Sequence, residues 1–123
     1  MPSQNTKTMA SLTVDLKRHR LRIPDRTFQM IDKPDYFRFL VNPDVKGIII
    51  ERCTEQSKGA YQLSKAPFHK GSYELTSVSL VTEIIQCAGF TGDATIKLAG
   101  QHVRGREALF FRMEQPTECS TIS

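Results

Sequence analysis

Cysteine is sparse and badly placed for bonding. Cys53, Cys87 and Cys119 are odd in number, far apart and include no C-x-x-C pair, which argues against a disulfide framework and a zinc site and leaves them as small buried or surface thiols. Long apolar runs are missing as well. Nothing approaches the roughly 18 residues of a membrane span, and the polar opening MPSQNTKTMAS has no apolar segment of the signal-peptide kind. A cytoplasmic protein with no membrane partner is the expectation. Catalytic patterns are equally thin. His19, His69 and His102 are isolated, no Ser, Cys and His trio shares a local motif, and no Gly-rich phosphate loop opens a helix. GFTGD at 89–93 follows a helical stretch and reads as a turn, while Glu83 has no carboxylate three or four residues onward. No enzyme, cofactor or metal is expected.

What is present is ordinary in amount and uneven in placement. At 123 residues the chain fits one domain, because a chain of that length buries roughly two-thirds of its unfolded surface. The net charge of +4 hides an asymmetry: residues 1–70 carry 13 Lys or Arg against 7 Asp or Glu, whereas residues 71–123 carry 4 against 6. The densest cationic stretch holds Lys17, Arg18, Arg20, Arg22 and Arg26, with His19 among them and only Asp25 opposing.

The chain also repeats itself. Residues 20–52 read as a short alternating strand, a Pro-led helix, an aromatic strand, a turn and an apolar strand, and residues 72–113 give that order again. Leu21, Ile23 and Phe28 match Tyr73, Leu75 and Leu80 at one offset; after a longer helix Phe37, Phe39 and Val41 match Ala94, Ile96 and Leu98, and Ile48 and Ile50 match Leu109 and Phe111. Neither copy holds enough apolar residues to close a core alone. The expected fold is therefore α+β: one domain of two related strand, helix and hairpin units, with internal copies at 11–53 and 72–113 joined by a polar connector at 54–71.

Local signals support each unit. Leu12, Val14 and Leu16 alternate with Thr13, Asp15 and Lys17, the chain turns near 18–20, and Leu21 and Ile23 then alternate with Arg20 and Arg22, predicting a hairpin with a basic tip. Pro24 ends the ladder for want of an N–H; Asp25 or Thr27 is positioned to cap a helix with Phe28 and Ile31 on one side, and Pro34 stops it. YFRFLV and GIIIERC flank the turn residues of NPDVKG, a second hairpin. Tyr61 and Leu63 suit a short strand in the connector. Thr76 or Ser77 caps a helix bearing Leu80, Val81, Ile84, Ile85 and Ala88 at helical spacing, Gly89 followed by Phe90 stops it, and QPTECSTIS reads as a frayed tail. Phe37, Phe39, Phe110 and Phe111 alternate as core residues do, with base stacking the weaker reading.

The stretch RLRIPDRTFQMIDKPDYFRFLV at 20–41 resembles the N-terminal signature of AbrB-like swapped-hairpin transition-state regulators: an Arg four residues before a Pro, apolar alternation between them, a short helix, then a strand and hairpin. Arg20, Leu21, Ile23, Pro24, Phe28 and Ile31 occupy the matching places, and two units in one chain is the arrangement of the MraZ branch. The sequence departs from that pattern where His19 replaces a Gly, Pro34-Asp35 replaces Gly-Asp, and Thr76 stands where the second copy's Pro belongs. The resemblance implies a swapped-hairpin or small barrel-like fold and binding to double-stranded DNA through the first hairpin.

Lys17, Arg18, Arg20, Arg22 and Arg26 are the candidate contacts, with Arg38 flanking them. Arginine forks toward phosphates or guanine edges, and grouped cations supply the counterion-release part of affinity. Lys97, His102, Arg104 and Arg106 fall on the last hairpin instead, so a two-fold DNA surface is not expected. Against a transcription regulator stand a solvated edge strand guarded by its charges, and a small protein-interaction module, such as a phage or mobile-element accessory inhibitor of a larger partner. An antitoxin would need more than this short polar tail. Swapped hairpins can be satisfied within one chain or by a homodimer.

Overall fold

The computed structural model describes residues 10–113 and 118–120. Residues 1–9, which hold most of the polar opening, and 114–117 and 121–123 of the tail lie outside the described part. The chain runs β1 (Ala10–Asp15), β2 (Arg20–Pro24), α1 (Asp25–Gln29), β3 (Tyr36–Asn42), β4 (Gly47–Arg52), β5 (Tyr61–Gln62), a 3-10 turn (Leu63–Lys65), β6 (Phe68–His69), β7 (Ser72–Thr76), α2 (Val78–Ala88), β8 (Thr95–His102), β9 (Ala108–Arg112) and β10 (Glu118–Ser120). The expected α+β class is realised as a mostly-strand domain: helix is confined to the five residues of α1 and the eleven of α2.

All strands join one curled antiparallel sheet in the order β5-β3-β4-β9-β8-β1-β2-β7-β6, with β10 added to β8. The two marginal strands, β5 and β6, are consecutive in the chain and linked through the 3-10 turn. One short covalent segment thus bridges both margins, giving a barrel-like outline. Two pairings join strands distant in the chain. β2 meets β7 with Leu21 opposite Leu75 and Ile23 opposite Tyr73; β4 meets β9 with Ile48 opposite Phe111 and Ile50 opposite Leu109.

Period-two alternation decides which side chains fill the interior. Leu12, Val14, Leu21, Ile23, Ile50 and Leu98 are fully buried, and their neighbours Thr13, Arg22 and Lys97 stand on the outer face. Phe28 of α1 packs on Phe37 and Tyr73 at ring-centroid distances of 4.7 and 5.3 Å. Phe37 and Phe111 are core residues, whereas Phe39 and Phe110 are half-buried. A close approach fixes the β8–β9 pair: a Cβ on Gly100 would lie 2.5 Å from the buried ring of Phe111.

The caps only partly follow the sequence signals. Ser77 is the N-cap of α2, its hydroxyl accepting from the Leu80 N–H at 3.2 Å, and Gly89 ends that helix at φ 78°. For α1 the N-cap is Pro24, with no side-chain cap. Neither Asp25 nor Thr27 fills that role, because Thr27 is buried and bonded to β1 and Asp25 is engaged by Lys33, Gln29 and Tyr73. The frayed-tail expectation also fails in part: residues 118–120 form β10, which covers the stretch of β8 that β9 leaves open. Cys53 and Cys87 are half-buried free thiols.

Candidate nucleic-acid interface

The basic hairpin forms where the alternation placed it, but it is not a free-standing ribbon or an edge. β1 lies between β8 and β2, and β2 lies between β1 and β7. Only the turn at 17–19 stands clear of these pairings, and it is fastened at both shoulders. The Leu16 N–H donates to Ala94 C=O at 3.0 Å, and the His19 C=O accepts from the Ser77 N–H at 2.9 Å. Asp15 closes the turn by accepting from the Arg18 N–H at 3.1 Å. His19 carries φ 53°, the left-handed region that glycine tolerates best and His enters more readily than most residues.

The outer face therefore forms ordered cross-strand rows. In one, Lys97 lies opposite Thr13, Thr13 opposite Arg22 and Arg22 opposite Glu74; in the next, Thr95 lies opposite Asp15, Asp15 opposite Arg20 and Arg20 opposite Thr76. Arg22 donates from Nε to Glu74 Oε2 at 3.1 Å, and its Nη2 is 3.1 Å from the same oxygen. Arg20 Nη1 is 4.0 Å from Glu74 Oε1. Arg18 Nη1 is 3.3 Å from Asp15 Oδ2. These are solvent-facing pairs, with 34% and 48% of the Arg20 and Arg22 side chains exposed. Such pairs are worth about 0–1 kcal/mol, so they orient the guanidinium groups without locking them away.

Two shallow hollows open on this face and share both arginines. One is lined by Thr13, Asp15, Arg18, Arg20, Arg22 and Thr95; the other by Arg20, Arg22, His69, Lys70, Ser72 and Glu74. Lys17 is exposed at the hairpin tip and Arg26 on α1, and neither forms an ion pair among the described residues.

Arg38 is not brought to this group. It lies on β3, and its Nε donates to Glu51 Oε2 at 2.7 Å. The Glu51 side chain is only 7% exposed, and Arg106 Nη2 holds its other oxygen at 2.9 Å. Removing one partner of a buried charge costs far more than breaking a surface pair, so Arg38 is committed to the sheet. His69 and Lys70, which the sequence places in an undistinguished connector, line the shared hollow instead. Only the pairing of β6 with β7 brings them there.

At the start of α1, Asp25 receives Lys33 Nζ at 3.1 Å, Gln29 Nε2 at 2.7 Å and the Tyr73 hydroxyl at 3.3 Å. The Lys33 hydrogen bond is the main reason that the carboxyl titrates below 3.8, and the same bond raises the Lys33 amine above 10.5. Among the described residues no cluster of His, Cys, Asp or Glu is arranged to hold a metal ion, and no helix is long and apolar enough to cross a membrane. Comparison with family profiles, with curated proteins and with solved structures finds no match to this chain.

Proposed function

We propose that this protein is a DNA-binding regulator that lays the outer face of β8, β1, β2 and β7 against a duplex. The carrying observation is the side-by-side display of the half-buried Arg20 and the exposed Arg22 on the outer face, held only by the half-buried Glu74 carboxylate and flanked by Arg18 and Lys17. Arginines presented from a rigid strand lose less freedom on contact than arginines on a loop, and each can fork onto a phosphate or a guanine edge. The contact surface is then a sheet face with a projecting tip rather than a ribbon, which favours phosphate contacts with base contacts near the tip.

The two-unit, swapped-hairpin-like reading of the fold is part of this proposal. Exchanging Leu21 with Tyr73 and Ile23 with Leu75 leaves the β2–β7 register unchanged, and exchanging Ile48 with Leu109 and Ile50 with Phe111 does the same for β4–β9. Those are the registers that a two-fold axis between copies demands. The left-handed His19 likewise supports the AbrB-like resemblance, since the glycine of that signature suits the same backbone.

Replacing Arg20 and Arg22 together by Ala tests the reading. Gel retardation of a duplex at low salt is expected to be lost while the circular dichroism spectrum is kept, because both side chains point to solvent. Unchanged retardation overturns it. A protein-interaction module remains a second reading, favoured by the outer-face row in which Leu40 lies opposite Ile49 and Ile49 opposite Phe110. Its signature is a stable complex with one partner protein, recovered by pulldown after nuclease treatment.

A further inference from the structure

Conditional on the duplex reading above, we infer that the binding track does not stop at Arg22: it crosses the β2–β7 seam to the tip of the β6–β7 hairpin, where Lys70, beside His69, grips a second phosphate wall. Glu74, at the middle of the track, occupies the arginine pair in place of a phosphate and competes with the duplex for it.

The two hollows already described make the track continuous, because Arg20 and Arg22 wall both of them. Strand direction sets its length. β2 and β7 are antiparallel, with Arg20 opposite Thr76 at one end and Pro24 opposite Ser72 at the other. The tip bearing Arg18 leaves from the first end and the tip bearing Lys70 from the second. Four residue steps separate those ends, about 13 Å at about 3.3 Å per residue. That is too far for one phosphate and matches the roughly 12 Å width of a B-DNA major groove. Arg18 and Lys70 also stand at the offset of 52 residues that relates Leu21 to Tyr73, so the two tips correspond.

The second tip is a tight turn that carries its cation outward. His69 pairs with Ser72, leaving Lys70 and Gly71 as a two-residue loop with φ 52° and 81°. Both positive values fit the tight hairpin turn in which Asn or Gly is normally favoured. Lysine seldom adopts such backbone, and here it leaves an exposed side chain at the hairpin tip.

Glu74 supplies the competitor. Its carboxylate takes two nitrogens of Arg22 on one oxygen and faces Arg20 with the other, so it holds the pair without the two-oxygen fork that a phosphate can offer each guanidinium. Being a surface pair, it yields to a polyanion whose binding releases counterions. Removing its charge while keeping its shape is therefore expected to favour the duplex.

Fluorescence anisotropy with a labelled duplex, over a salt series, tests this on the full chain. Lys70→Asn keeps a residue that accepts the left-handed turn. It is expected to weaken binding about 3–10-fold and to reduce the salt slope by about one. Glu74→Gln is expected to tighten binding several-fold, and Arg104→Ala, an exposed cation on the β8–β9 turn, is expected to match wild type. Should Lys70→Asn bind like wild type with an unchanged slope, or Glu74→Gln bind no tighter, the inference is overturned while loss of binding in the Arg20/Arg22 double variant leaves the duplex reading standing. Absence of any duplex binding by wild type at low salt overturns both.

Discussion

The hydroxyl of Thr27 stands in for a strand beside Ser11. It donates to the Ser11 C=O at 3.0 Å and accepts from the Ser11 N–H at 3.1 Å, in a fully buried setting. The β1–β2 register, with Thr13 opposite Arg22, runs on to place Pro24 opposite Ser11. Pro24 has no N–H to give, and the chain turns there into α1. Thr27, from the first turns of that helix, provides both the missing donor and the missing acceptor.

Thr27→Val keeps the shape and removes both bonds, leaving a backbone donor and acceptor buried without partners. Orphaned groups of this kind cost about 1–3 kcal/mol each, so a loss of about 2–6 kcal/mol and a fall of about 10 °C or more in Tm are expected. Thr27→Ser retains the hydroxyl and gives up one methyl, about 1 kcal/mol. Thermal melts of the three proteins check this. A valine variant as stable as the serine variant would remove the bridging role.

Arg38 and Arg22 share a residue type and an outward strand position, but their carboxylate partners differ. Glu74 is on the surface, whereas Glu51 is nearly sealed between Arg38 and Arg106. Arg38→Ala leaves Glu51 with one cation instead of two, and is expected to cost about 2 kcal/mol, the scale of a charge-assisted hydrogen bond, with duplex affinity kept. Arg22→Ala is expected to do the reverse. Urea unfolding and duplex titration of both variants decide the matter, and a stable Arg38→Ala protein with weakened binding would return Arg38 to the interface.

Those two cases show which parts of the fold were legible. Period-two alternation identified Leu21 and Ile23 as inward and Arg20 and Arg22 as outward, and local chemistry narrowed the start of α2 to Thr76 or Ser77 and identified Gly89 as its stop. These depend on neighbours within a few positions. Thr27 looked like a cap because its bond to Ser11 spans 16 residues, and nothing local distinguishes a capping hydroxyl from a strand-mending one. Arg38 looked like a ligand contact because Glu51 becomes buried only when β3 and β4 pair and Arg106 closes over it. His69 and Lys70 were hidden in the connector for the same reason: β6 has two residues and no period of its own, and only its pairing with β7 brings it beside Arg20 and Arg22. Sequence resolved the direction of side chains better than their company.

The Asp25–Lys33 contact makes stability depend on pH in a defined window. Asp25 titrates below 3.8 in the folded chain, chiefly because Lys33 donates to it, so its contribution is complete above that value and is lost as pH falls toward the depressed one. Lys33 titrates above 10.5, so the same contact stays intact below that value and is lost as pH rises past the raised one. Between these limits Asp25→Asn is expected to melt below wild type by a constant margin. The two melting curves are expected to converge as the solution is taken down from about pH 5 toward about pH 2, where wild-type Asp25 is protonated and no longer pairs with Lys33. A margin that persists unchanged to the acid end would mean that the neutral donors, Gln29 and Tyr73, hold this corner of the sheet and that the ion pair does not.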